Sequence, residues 1–194
     1  MQLTRIDPET YRRTPWKNGG GTTIDIADAF CEGATHGDWH EMIWRFGRTT
    51  ISVPGPFSDL SGFDRMQVVV AGCGLVLHTA NSEIDLRLPF RPVRFSGGTP
   101  IVSGLEAGPV EVVNLISDSR LTSIDLRVPQ SGGMLKLPAG IHILYAASGE
   151  CTFALDAAVL TIADRWALRV DTPASTDLHS HSGELVVGSV YARA

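Results

Sequence analysis

Apolar and polar residues alternate with a period of two along several short stretches of the chain. Ile84, Leu86 and Leu88 stand against Asp85 and Arg87, for example. Runs rich in Val, Ile, Leu, Thr and aromatic residues recur at 41–46, 67–70, 75–78, 110–116, 141–145 and 185–191. A period of two sends successive side chains to opposite faces of a strand, so these segments predict half-buried β-strands. Twenty glycines and eleven prolines punctuate the runs. Many short strands at regular spacing, without a long 3.6-residue stripe, predict an all-β sandwich or barrel. Only Asp25 to Phe30 hints at a helical turn. Ser131-Gly132-Gly133 predicts a turn, either between two halves of the molecule or within a hairpin.

The pattern repeats faintly. Val69 to His78 resembles Tyr145 to Ala154 when the turns at Gly72 and Gly149 are superposed. Each copy continues into an apolar segment (Ile84 to Leu88; Val159 to Ile162) and then a basic-aromatic one (Phe90 to Phe95; Arg165 to Val170). Strand, glycine turn, strand, loop, strand is what one small jelly-roll barrel used twice would give. Chance similarity between β-rich segments is the competing explanation. Two barrels predict a division into residues 1–125 and 126–194, fused and sharing strands at the join.

Composition narrows the class. Of 194 residues, 43% are hydrophobic and 19% charged, a globular balance. A chain of this length buries about 70% of its unfolded surface, so it folds without disulfides or metal. Sixteen basic residues against 21 acidic give a net charge of −5. The longest basic run is Arg12-Arg13, which leaves nothing to release the counterions that drive nucleic-acid binding. Three well-separated cysteines, Cys31, Cys73 and Cys151, make no CxxC and no disulfide framework. Cys73, between two glycines in an apolar run, is expected to be a buried small hydrophobe. The polar N-terminus is no signal peptide. The longest apolar run, Val68 to Leu77, is broken by Gly72 and Gly74 and falls short of the roughly 20 residues that span a bilayer. The expectation is a cytoplasmic protein with neither membrane nor nucleic acid as partner.

Three constellations could carry chemistry. In Trp16-Lys17-Asn18-Gly19-Gly20-Gly21-Thr22-Thr23, consecutive glycines let the backbone approach a ligand and their amides can cradle an anion. Lys17 adds charge, Asn18 a two-sided hydrogen-bonder and Trp16 an apolar wall. The spacing is not that of a P-loop, and a tight turn or hinge is the plain alternative. In Gly55 to Arg65, Phe57 and Phe63 can plug a barrel mouth, and Arg65 can point inward as a carboxylate fork or brace a loop with Asp64. His179-Ser180-His181 with Glu184 has the spacing of a strand-borne metal pair but sits in a polar stretch that predicts a solvated loop. His78 and His142 lie in apolar strands and predict core or rim positions. No GxSxG elbow is present.

Taken together, Trp16-Lys17-Asn18-Gly19-Gly20-Gly21-Thr22, Trp44-Arg45, Gly55-Pro56-Phe57-Ser58 with Gly62-Phe63-Asp64-Arg65, Gly72-Cys73-Gly74-Leu75, Leu88-Pro89-Phe90 with Phe95-Ser96-Gly97, and Val112-Val113-Asn114-Leu115-Ile116 resemble the HutD/Ves family of bacterial proteins. The motifs occur in the family's order over residues 3 to 120. The resemblance implies a bicupin, two cupin barrels in one chain. It also implies a cytosolic role linked to histidine utilisation or stress responses, without a bound metal and with a pocket for a small carboxylate such as urocanate or formylated glutamate. Carried over by motif, the ligand-binding residues are Trp16, Lys17, Asn18, Gly19, Gly20, Arg45, Phe57, Arg65 and Asn114. The chain departs from the family pattern at three places. Gly98 stands where an Asp is favoured, Val113 where an acid is favoured, and Gly47 where a Ser is favoured.

The resulting expectation is a regulatory binder of a small organic anion, with no cofactor and no metal. Lys17 and Arg65 would pair the carboxylate while Trp16 and Phe57 cover its apolar part. The alternative is a metal-independent hydrolase or isomerase acting on a small carboxylate or amide, with His78, Asp64 or Glu111 as general base. A metal cupin using His179, His181 and Glu184 is a third reading. A fourth is a homodimer built on exposed strand edges such as Leu185 to Tyr191.

Overall fold

The structure, a computed structural model, describes residues 1–15, 21–34 and 39–193. Seventeen strands and two short 3-10 turns, Pro8–Thr10 and Trp39–Glu41, account for the regular structure among them. The strands are β1 (Gln2–Ile6), β2 (Arg12–Pro15), β3 (Gly21–Phe30), β4 (Met42–Ile51), β5 (Gly55–Pro56), β6 (Phe63–Ala71), β7 (Leu75–His78), β8 (Glu83–Leu86), β9 (Val93–Ser96), β10 (Val102–Leu105), β11 (Val110–Asp118), β12 (Thr122–Arg127), β13 (Met134–Leu137), β14 (Gly140–Leu155), β15 (Ala158–Ile162), β16 (Ala167–Thr172) and β17 (Thr176–Ala192). The all-β expectation holds. Among the described residues no helix is long and apolar enough to cross a membrane.

The chain divides into two units. One comprises Arg12–Ser123, the other Met1–Tyr11 with Ile124–Ala194. The join falls inside β12. The first eleven residues lie with the C-terminal part, unlike the expected division, because β1 pairs antiparallel with β16 from Gln2 opposite Asp171 to Ile6 opposite Ala167. Hydrogen bonds between distant strands decide unit membership here, and sequence proximity does not report them.

The Arg12–Ser123 unit contains a six-stranded sheet, β2-β3-β4-β11-β6-β9, and a four-stranded one, β5-β10-β7-β8. Ile51, Val69, Phe95, Val110 and Val112 from the larger sheet pack against Leu75, Leu77, Leu86 and Ile101. Strand alternation selects these residues, and burying each large one stabilises the unit by about 1.5–3 kcal/mol. The β6–β7 turn needs Gly72 (φ 75°) and Gly74 (φ 81°) in the left-handed region. Cys73 sits between them and is exposed, not buried as expected, because the turn lifts it off the strand. Asp25 to Phe30 is strand, not helical turn. Bulges between Asp25 and Ala27 and between Ala29 and Phe30 break the alternation that would have revealed it.

The other unit holds a seven-stranded sheet in the order β1-β16-β14-β17-β12, with β13 on β17 and β15 on β14. Its interior is apolar, built from residues such as Leu137, Leu144, Phe153, Leu168, Leu178 and Val187. Two sequence expectations fail here. Leu185 to Tyr191 is no free edge, since β17 is flanked by β14 and β12. The His179-Ser180-His181 stretch is strand rather than loop, paired to Ala154 and Met134 at His179. Ser131-Gly132-Gly133 is the turn between β12 and β13, with Gly132 at φ 77°.

Candidate functional site

Alternation in the six-stranded sheet collects polar residues on its inward face. On β6, Arg65 and Gln67 share a face with the core residue Val69. On β11, Asn114 and Ile116 share a face with the core residue Val112. The register sets Gln67 opposite Asn114 and Arg65 opposite Ile116. Across the other edge of β11, Gly47 lies opposite Asn114, Arg45 opposite Ile116 and Thr49 opposite Val112. Directly opposed residues of antiparallel strands point the same way, so all of these face inward. The row continues into β3, where Thr23, Asp25 and Asp28 pair with Thr49, Gly47 and Arg45. The bulge at Ile26 brings Asp25 and Asp28 to one side.

Arg65 is the centre of this face. It is 8% exposed. Its guanidinium carbon lies 4.9 Å from the Phe57 ring centroid and 5.1 Å from that of Phe95. Among the described residues Arg65 has no ion pair and no hydrogen bond, and its buried Nε is left without a partner. Burial, with a smaller push from Arg45, brings its pKa down to about 10, so it stays charged at neutral pH. The loop that carries Phe57 is clamped. The Phe57 amide donates to the Ile101 carbonyl at 2.9 Å, Leu60 to Gly97 at 2.9 Å and Gly97 to Phe63 at 2.8 Å. A Cβ at Gly97 would stand 2.3 Å from the Leu60 carbonyl oxygen, which explains the glycine.

Arg45 is held differently. Its Nε lies 3.5 Å from Asp25 Oδ1, and its guanidinium stacks 4.3 Å from the Trp39 ring centroid. Arg12 bonds Asp28 and lies 3.8 Å from Asp25. Burial raises the Asp25 pKa, opposed by Arg45 and Arg12. Burial likewise lowers that of Arg45, opposed by Asp25. Three guanidiniums thus face two carboxylates among the described residues of this face, and the unbalanced charge is that of Arg65.

The carboxamides complete the row. Asn114 Nδ2 donates to Thr49 Oγ1 at 3.2 Å, and Thr49 lies 3.4 Å from the Thr23 hydroxyl. Asn114 Oδ1 has no partner. Gln67 is fully buried, with both Oε1 and Nε2 unpartnered.

Of the residues named from sequence, Arg45, Phe57, Arg65 and Asn114 come together here. Trp16, Lys17, Asn18, Gly19 and Gly20 lie outside the described residues. Asp25, Trp39, Gln67 and Phe95 were not foreseen. Gln67 carried a signal: it is the lone polar residue in Met66 to Val70, two positions from Arg65. The three departures from the family pattern also find their places. A Cβ at Gly47 would lie 2.7 Å from the Ile24 carbonyl, and one at Gly98 2.7 Å from Ser61 Oγ. Val113 is on the face of β11 opposite Asn114, so an acid there would not reach Arg65.

The general-base candidates from sequence are elsewhere. His78 is half-exposed, 3.3 Å from Glu83. Asp64 and Glu111 alternate with the inward residues and engage Arg94 and Arg48. Asp25 is instead the acid on this face, held 3.5 Å from Arg45. His179 and His181 alternate with buried Leu178 and Ser180 on the outer side of β17. Among the described residues, no three His, Cys, Asp or Glu side chains come close enough to hold a metal ion.

The HutD family model matches residues 8–187, nearly the whole chain. The chain belongs to the HutD family. Within this family's reach lies a Pseudomonas putida relative described as an uncharacterized 21.2 kDa protein in the hutC 3′ region, 31% identical over 149 residues, covering 77% of this chain and 76% of that one. The solved structure of HutD from Pseudomonas fluorescens SBW25, obtained in a formate condition, superposes with a TM-score of 0.82 at 23% identity, covering both chains completely. A Cupin 2 conserved barrel domain protein from Leptotrichia buccalis superposes with a TM-score of 0.52 at 5% identity, covering 89% of each chain. The chain therefore has a cupin-like β fold.

Proposed function

We propose that this HutD-family protein binds a small organic carboxylate on the inward face of its Arg12–Ser123 unit, and that binding rather than turnover is its task. The observation that carries the reading is Arg65. A guanidinium taken out of water without an acid or acceptor costs several kcal/mol, and cation–π contact with two phenyl rings recovers only part of it. A carboxylate recovers the rest through two parallel hydrogen bonds, which is what an arginine fork offers. Phe57 and Phe95 supply apolar walls, as small-ligand sites require. Lys17 as a second charge, Trp16 as a cover, and Asn18, Gly19 and Gly20 as a closing loop rest on the motif alone.

The relatives support the choice of ligand. Formate is the smallest carboxylate, and the Pseudomonas fluorescens HutD was solved in its presence. The Pseudomonas putida relative comes from the hutC 3′ region. The hutC location favours acids of histidine breakdown, urocanate and formylglutamate among them. The reading carries with it a cytoplasmic location and two cupin barrels, the first of which holds the ligand.

A thermal-shift screen of urocanate, formylglutamate, formiminoglutamate, histidine, glutamate and unrelated acids, with and without EDTA, tests it. Binding to the native state alone adds about 2.7 kcal/mol at a hundredfold excess over Kd, a shift of several degrees. A selective, EDTA-insensitive shift lost in Arg65→Ala is the expected result. No shift with any acid overturns the reading.

One observation favours an enzyme instead. Asp25 has its pKa raised by burial, and its Oδ1 accepts no hydrogen bond. A carboxylate so placed beside a bound acid is equipped as a general base. Product from any bound acid or amide, abolished in Asp25→Asn with binding intact, would decide for that reading.

A further inference from the structure

We infer that Gln67 reads a second group on the ligand, and that the site selects a carboxylate that also bears a neutral group able both to donate and to accept a hydrogen bond, of which a carboxamide is the simplest. The inference rests on Arg65 being the carboxylate partner.

Buried polar groups in native proteins are nearly always hydrogen-bonded, and each exception calls for a reason. Gln67 is an exception twice over, since its donor and its acceptor are both buried and both unpartnered. Directly across the β6–β11 register, Asn114 leaves its Oδ1 without a donor while Nδ2 is spent on Thr49. The three unpartnered atoms on these opposed strands are therefore two acceptor oxygens and one donor nitrogen. A carboxylate offers acceptors only and could satisfy just one of them. A carboxamide offers two N–H donors and a carbonyl acceptor, which matches the set.

Charge leads to the same class. The described residues of this face carry one unbalanced positive charge, on Arg65, and the carboxylate bound there uses it up, which leaves no counter-charge among the described residues beside Gln67. A second carboxylate reaching Gln67 would be buried without a counter-charge. Position sets the scale of the ligand. Arg65 and Gln67 are two residues apart on one strand, about 6.6 Å between their Cα atoms, so the acids that test the site are small ones whose two groups stand a few carbons apart. Gln67 is sealed from solvent in this structure, so a ligand reaches it only after a side-chain rotation that opens a path to it.

Three acids of similar length test the inference by calorimetric titration of the full-length protein: succinamate, succinate and 4-methylpentanoate. Wild type is expected to bind succinamate at least about tenfold more tightly than either of the others, because unpaired polar groups in a site reject analogues that cannot satisfy them. In Gln67→Met, with Gln67→Leu as a second variant of different shape, the preference is expected to collapse to within about threefold. The ligand-free melting temperature is expected to rise, since an apolar group replaces an unsatisfied amide. A structural glutamine would lower that temperature when replaced. Equal binding of all three acids by wild type overturns the selectivity while leaving the carboxylate site standing. Binding of none, with Arg65→Met indifferent, removes the carboxylate site itself. Retention of the preference in both Gln67 variants overturns the assignment to Gln67.

Discussion

The two units bury polar groups in opposite ways. His142 sits on the inward face of β14 in line with Leu144 and Ala146 of the apolar core. Its Nε2 lies 2.9 Å from the Pro138 carbonyl and its Nδ1 2.8 Å from Ser189 Oγ. A carbonyl only accepts, so Nε2 carries the proton and Nδ1 accepts from the serine hydroxyl. Both ring nitrogens are satisfied, and the core around them is apolar. Orphan atoms there are single hydroxyls such as Ser180 Oγ. The inward face of β6 and β11 instead leaves a guanidinium and two carboxamides short of partners. Complete satisfaction marks structure, and incompleteness at this scale marks a place kept for something else.

The contrast can be broken in several places. The largest effect is expected from Phe153→Ala, which deletes a fully buried ring from a filled core. It should cost about 3–5 kcal/mol in denaturant unfolding. A cost below that range would mean the second unit is less well filled than its interior indicates. Ser189→Ala comes next. It leaves His142 Nδ1 without a donor and should destabilise by about 1–3 kcal/mol. A neutral result would remove the distinction between satisfied and unsatisfied polar groups on which the comparison stands.

The smallest effect is one of pH. Burial lowers the His142 pKa, so the folded protein resists a proton that the unfolded chain accepts. The stability His142 contributes is therefore full above its unfolded pKa, about 6.5, and is lost as pH falls through the depressed folded value. Unfolding free energy should drop more steeply between pH 7 and pH 5 in wild type than in His142→Gln, whose amide can keep both hydrogen bonds. Parallel slopes would show that His142 does not titrate differently on folding.

Much of this was legible in the chain. Period-two alternation revealed the strands, because a half-buried strand must separate apolar from polar residues face by face. The sequence offers Arg65 as an inward fork or a loop brace, and Asn114 enters by family resemblance alone; both lie on the inward parity of β6 and β11. Three features hid the remainder. The Ile26 bulge shifts parity in β3, so Asp25 and Asp28 share a face that spacing alone would deny them. Pairing of β1 with β16 links residues more than 150 positions apart, with no local trace. Gln67 looks like an ordinary strand residue until its lack of partners is seen, and that lack exists only in three dimensions.

The central claim is that Arg65 is buried for an anion and not for the fold. Melting wild type and Arg65→Met side by side, each with and without saturating succinamate, tests it most directly. Methionine replaces an unpaired buried charge by an apolar chain of similar reach, so the ligand-free variant should be more stable than wild type by about 1–4 kcal/mol. The acid should raise the melting temperature of wild type and leave the variant unmoved. A variant that melts lower than wild type and still responds to the acid would contradict the account, because Arg65 would then be holding the fold and the anion would be held elsewhere.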